Sequence, residues 1–156
     1  MLEDIYNFLP LTETLLSSGM PTAGQMAEVS KSGIDLVINL ALPTSERALP
    51  NEAGLVTSLG MKYIGIPVEW EKPMRQNLED FMNAMDANKE NKKLVHCQAN
   101  YRATGFITLY RVLRLGWNRE DAFNDLRRIW DPDEYPVLKK FIEENLINNP
   151  SSHLTV

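Results

Sequence analysis

The stretch that decides the reading is Lys92-Lys93-Leu94-Val95-His96-Cys97-Gln98-Ala99-Asn100-Tyr101-Arg102-Ala103-Thr104-Gly105. A short apolar run with a basic approach delivers the sole cysteine of the sequence. Beyond the arginine, Phe106-Ile107-Thr108-Leu109-Tyr110-Arg111-Val112-Leu113 has apolar residues at helical spacing. The order is therefore strand, short polar turn, helix, with Cys97 at the strand end and Arg102 near the helix start. A helix start presents unpaired N–H groups and the positive end of the dipole, which together cradle anions. The same field favours thiolate over thiol, and the thiolate is the nucleophile. Arg102 adds a planar fork that can grip two oxygens of a phosphate.

Outward from this stretch, strands and helices alternate. Leu11 to Leu16 alternates loosely and predicts an edge strand or hairpin. Ser18-Gly19-Met20-Pro21 is turn chemistry, and Thr22 can cap a helix to about Ser32, stopped by Gly33. Asp35 to Ala41 is short and β-branched, a buried strand. A loop from Pro43 to Pro50 leads to a helix from Glu52 to Leu59, then a strand from Lys62 to Val68 that Pro67 ends. Glu69 to Pro73 is a polar loop. Asn77 to Asn88 places Leu78, Phe81, Met82 and Met85 on one helical face. Downstream, Gly116 stops the helix that follows the cysteine loop, and Asn118 opens another with Ala122, Phe123, Leu126, Ile129 and Trp130 as its face. Asp133 is the expected cap of a last helix from Glu134 to about Asn148, and residues 149–156 are expected to be a loose tail.

This alternation predicts a three-layer α/β domain over residues 1–156, with a mainly parallel central sheet flanked by helices. Three loops would leave the carboxyl ends of strands: Ala41–Arg47, Glu69–Pro73 and Gln98–Arg102. Ligands bind at that edge of open α/β sheets, so Glu69 is expected near Cys97. The net charge of −5, with no basic stripe, argues against nucleic acid as partner. No apolar run reaches the roughly 20 residues of a membrane span. A lone cysteine excludes an internal disulfide and points to a reducing compartment. With a start lacking a basic n-region, this makes cytoplasmic localisation the expectation. Two distant histidines and one cysteine support no metal site, and no cofactor is implied.

His96, Cys97 and Arg102 resemble the His-Cys…Arg loop of cysteine-dependent protein phosphatases of the dual-specificity type, which place five residues between Cys and Arg where this chain has four. The sequence is closer still to a bacterial family of phosphatase-like proteins with the shorter spacing. The resemblance is carried in order by Ser18-Gly19-Met20-Pro21-Thr22, Val37-Ile38-Asn39-Leu40, Pro67-Val68-Glu69-Trp70 and His96-Cys97-Gln98-Ala99-Asn100-Tyr101-Arg102. Departures are Met20 for Gln, Glu69 for Asp, and Ala41 where relatives often carry Arg.

The resemblance implies hydrolysis of phosphate monoesters through a cysteinyl-phosphate. Cys97 would be the nucleophile, and the amides of Gln98, Ala99, Asn100, Tyr101, Arg102 and Ala103 the cradle for phosphate or sulfate. Partners would be a phosphorylated protein or a small phosphate ester. The leaving oxygen needs a proton, and Glu69 is the candidate donor, ahead of Glu71 and of Asp131, which reads more naturally as a helix stop. His96, Thr104 and Asn39 are supporting residues. His96 follows Val95 on the opposite strand face, so it is expected to hydrogen-bond in the core and tune the loop. Thr104 has two readings, a loop cap or a hydroxyl that helps the thiolate leave. Asn100 tolerates positive φ where those phosphatases carry Gly.

Two other functions fit the same loop: an oxyanion-binding pseudophosphatase, and a persulfide carrier of the rhodanese-like kind. Aligned without a gap, the phosphatase loop would place Ala103 in the arginine's seat and Arg102 one residue early. That register predicts weak activity, and a gain on exchanging the two positions.

Overall fold

The computed structural model describes residues 1–147; the end of the last expected helix and the expected tail lie outside them. Five strands form one sheet in the order β1-β2-β5-β3-β4. They are β1 (Leu9–Pro10), β2 (Leu15–Ser18), β3 (Leu36–Asn39), β4 (Lys62–Gly65) and β5 (Lys93–His96). Only the β1–β2 pair is antiparallel; β2–β5, β5–β3 and β3–β4 are parallel. The α-helices are α1 (Ala23–Lys31), α2 (Glu52–Ser58), α3 (Arg75–Ala87), α4 (Tyr101–Leu113), α5 (Arg119–Arg127) and α6 (Pro136–Ile147).

The strands alternate across the sheet as their pleat requires. Leu36, Ile38, Val95 and Cys97 face α3, α4 and α6, where Leu78, Phe81, Phe106, Ile107, Leu138 and Ile142 are buried. Val37 and Leu94 face the other way, onto Met26 and Val29 of α1 and Val56 of α2. Local chemistry sets the helix ends. Thr22 and Gln25 form a reciprocal capping box at the start of α1. Gly116, at φ 74°, allows the turn after α4 that a side chain would strain.

Two expectations are corrected. The N-terminal hairpin contributes an edge only through β1; β2 lies inside the sheet against β5. Its Ser17 and Ser18 are buried without breaking the strand, because Ser17 Oγ donates to the Leu9 carbonyl and Ser18 Oγ to the Gly19 carbonyl. The last helix begins at Pro136, not Glu134. Asp131, rather than Asp133, caps the intervening 3-10 turn, Pro132–Glu134, by accepting from the Asp133 N–H. Pro136 then suits a first helical position, where no N–H is needed. Among the described residues, no helix is long and apolar enough to cross a membrane.

Candidate active site

Cys97 follows β5 directly and is buried, 1% exposed. Asn100, at φ 70°, turns the chain into α4. The outer side of this turn is fastened to the N-terminal segment. Met20 N–H donates to the Gln98 carbonyl at 2.9 Å, and Asn7 Nδ2 to the Ala99 carbonyl at 3.0 Å. Asn100 Nδ2 answers by donating to the Asn7 carbonyl and to Ser17 Oγ. Thr104 Oγ1 donates to the Asn100 carbonyl at 2.6 Å and accepts from Trp130 Nε1. That hydroxyl thus bonds a carbonyl of the first turn and an indole, and caps no N–H. Among the described residues no side chain caps the first turn of α4, so the N–H groups of Tyr101, Arg102 and Ala103 are the open end of a helix.

Gly19 makes the fastening possible. A Cβ there would stand 2.6 Å from the Gln98 carbonyl oxygen and 2.9 Å from Tyr6 Cδ2. Gly19→Ala is therefore expected to push the loop off the N-terminal segment. The cost should be about 1–3 kcal/mol, the usual range for overpacking, read as a lower urea midpoint with unchanged slope.

Arg102 is the second residue of α4 and 6% exposed. One terminal nitrogen, Nη1, donates to the Val68 carbonyl at 2.6 Å. Its Nε is buried without a partner, and the guanidinium lies 5.7 Å from the Trp70 ring centroid. Arg102, Cys97, Gln98, Ala99, Trp70, Tyr101 and Tyr135 line one cavity of about 390 Å³. Ala103 is fully buried in the core on a different side of the helix. The gap-free register is thereby corrected: the side chain that reaches the cavity is Arg102, because successive helical residues diverge by about 100°.

The far wall is aromatic. Tyr101 and Tyr135 rings are 4.7 Å apart, and Trp70 meets Tyr135 edge-on at 5.5 Å. The two phenols share a 3.4 Å hydrogen bond. That bond first, and burial second, push the Tyr101 hydroxyl up to about 12, so it stays protonated and polar at neutral pH.

Glu69 is exposed and stands between two residues of the site: Val68, whose carbonyl holds Arg102, and Trp70 of the wall. It is not among the residues that line the cavity. Among the described residues that line the cavity, none is acidic. Glu71 is also exposed. Asp131 lies elsewhere, in a cavity of about 400 Å³ between α5 and α6. Asn39 does not reach the cysteine cavity: its amide accepts from the Ala41 N–H and donates to the Tyr63 hydroxyl, lining a neighbouring depression. Ala41, Leu42 and Pro43 line that same depression and Arg47 lies over Tyr6, so of the three expected strand-end loops only those holding Trp70 and Gln98–Arg102 line the cavity of Cys97. His96 is fully buried on the α2 side, bonded to Glu52. Among the described residues no group of three acidic, cysteine or histidine side chains could hold a metal.

Sequence reasoning missed Tyr135, Asn7 and Glu52. Each is remote along the chain from the residues it touches, and none carries a local pattern that marks it.

No protein-family model and no curated protein matches this chain. Solved structures do. A "Putative phosphatase (DUF442)" from Shewanella putrefaciens, solved twice, is 36% and 37% identical, with TM-scores of 0.83 and 0.84. Each alignment covers 95% of this chain, with 94% and 96% of the other. TpbA of P. aeruginosa is 17% identical over 89% of this chain and 84% of its own, with a TM-score of 0.72. Similarity at that level speaks for the fold, which is that of the cysteine phosphatases.

Proposed function

The chain belongs to the DUF442 family, and on that footing we propose that it is a cysteine-dependent phosphatase acting on phosphate monoesters. One observation carries the reading: Cys97 and the buried, half-partnered guanidinium of Arg102 line one cavity at the uncapped start of α4. Cys97 Sγ attacks phosphorus, and the bond from phosphorus to the leaving oxygen breaks. The phosphoryl oxygens rest on the N–H groups of residues 98–103 and on Arg102, through Nε and the nitrogen not given to Val68. Glu69, next in the chain to Trp70 of the wall, gives its proton to the departing oxygen. Water then attacks phosphorus, the thiolate leaves, and the water's proton returns to Glu69.

The substrate class is a phosphorylated protein or a small phosphate ester. TpbA has been solved with phosphotyrosine and PTPMT1 with PI(5)P; the aromatic wall of Trp70, Tyr101 and Tyr135 suits an aryl or ring-bearing ester more than a bare alkyl one. Purified protein with reductant should hydrolyse aryl phosphates or phosphotyrosyl peptides, and no turnover across pH would sink the proposal. Glu69→Gln should slow alkyl phosphates by about 10²–10⁴ and aryl esters, whose leaving groups need little protonation, much less. Equal loss on both would assign Glu69 a structural role.

A second reading, an oxyanion-binding module without turnover, draws on the lack of an acidic residue in the lining. Calorimetry separates the two: phosphate binding without hydrolysis selects it.

A further inference from the structure

Lys93 opens β5 and is 4% exposed. An ammonium has three N–H donors, and this one uses two, on the carbonyls of Asn88 at 3.0 Å and Asn91 at 2.9 Å. Those carbonyls satisfy hydrogen bonds but supply no counter-charge. Among the described residues, Asp35 and Glu90 attract the ammonium only from longer range. Burial outweighs them and holds the Lys93 pKa below the ordinary lysine value. A cation this deep costs stability unless an anion answers it.

Lys93 lines a cavity of about 230 Å³ together with Lys89 and Arg111. Arg111, in the last turn of α4, is 3% exposed. Its Nη1 donates to Asp125 Oδ2 at 2.6 Å, and its guanidinium lies 4.1 Å from the Trp117 ring centroid. The described lining thus holds three cationic side chains and no acidic one, in a chain whose net charge is −5. Leu15, Met85 and Leu115 make much of the remaining wall apolar. Leu15 and Lys93 are register partners at the starts of β2 and β5, so the cavity lies at the amino ends of these strands. Cys97 follows the other end of β5, and the two cavities share no described lining residue.

We propose that this cavity is a second ligand site, taking a small carboxylate on an apolar body whose charge rests on the third N–H of Lys93. A carboxylate only accepts hydrogen bonds, and the cationic lining offers it donors without a competing acid. The apolar wall suits a hydrocarbon body more than a bare phosphate. The volume lies below the roughly 300–1,000 Å³ of ordinary ligand pockets, so the body is no larger than a single ring or a short branched chain. The occupant touches β5 and α4, the two elements whose other ends carry the cysteine turn. The proposal stands apart from the phosphatase reading.

Titration of nitrogen-15-labelled protein with sodium benzoate, one carboxylate on one ring, tests it. Amide signals of residues 12–15, 85–93 and 110–117 should shift, with an affinity in the millimolar range expected of so small a ligand. Benzyl alcohol, the same ring without the charge, should bind at least about tenfold more weakly, the scale of one charge-assisted hydrogen bond. Lys93→Met keeps an apolar stem and drops the charge. It should lose the same factor for benzoate and nothing for benzyl alcohol. Absence of shifts, shifts confined to residues 97–103, or equal binding of the two probes overturns the proposal. If Lys93→Met does not fold, the two probes on the wild-type protein still decide. Neither probe is a phosphate ester, so a protein that hydrolyses nothing would leave this site standing and remove the phosphatase.

Discussion

Cys97→Ser is expected to stop turnover, lowering hydrolysis of aryl phosphates by roughly 10⁴-fold or more, the scale at which enzymes lose a nucleophile. Anion binding should survive. The smaller hydroxyl fits the space of the thiol, and the cradle itself, the open end of α4 with Arg102, is untouched by the change. A serine hydroxyl is not ionised at neutral pH and has no adjacent base among the residues that line the cavity. The pair of measurements is steady-state hydrolysis and calorimetry with inorganic phosphate. Persistent hydrolysis would place the nucleophile elsewhere. Loss of binding together with hydrolysis would mean that the thiol holds the loop in shape.

The second large effect concerns the arginine's position. Arg102→Gly with Ala103→Arg should unfold the protein or leave it barely folded, with no anion binding. Ala103 is fully enclosed by the core that contains Phe106, Ile107 and Leu138. An arginine there overfills the site, at about 1–3 kcal/mol, and buries an unpaired charge, at several kcal/mol more. Against a total stability of roughly 5–15 kcal/mol, that is most of what holds the chain. The Val68 carbonyl loses its donor as well. Circular dichroism with thermal melting reads the outcome; a well-folded double variant with raised phosphatase activity would restore the gap-free register.

Much of this was legible in the sequence, and the reasons are local. Asp35 to Ala41 is too short and too β-branched to be a helix, and β3 lies within it. Leu78, Phe81, Met82 and Met85 repeat at helical spacing, and they are the buried face of α3. Cys97 and Arg102 could be paired because a strand end and a helix start lie five residues apart. What could not be read were contacts made across long sequence separations. Asn7 reaches Ala99, and Glu52 reaches His96; in sequence these are an ordinary turn residue and an ordinary first-turn acid. Ser18 misled for a different reason. It reads as turn chemistry, but Ser17 and Ser18 end β2 and are buried because both donate to backbone carbonyls and Ser17 accepts from Asn100.

The strand order has a bearing on how the chain assembles. The β1–β2 hairpin and the β3–β4 pair do not touch each other within the sheet; each joins it only through β5. Residues 9–18 and 36–65 must therefore wait for residues 93–96 before either has its neighbour. Parallel pairings across such distances make for high contact order and slow folding. During synthesis the first half of the chain emerges with open strand flanks, exposed to association with other chains. The segment that leads into Cys97 is thus also the keystone of folding. Substitutions along Leu94 and Val95 should show their damage first as lost yield of native protein, before any defect at the cysteine can be measured.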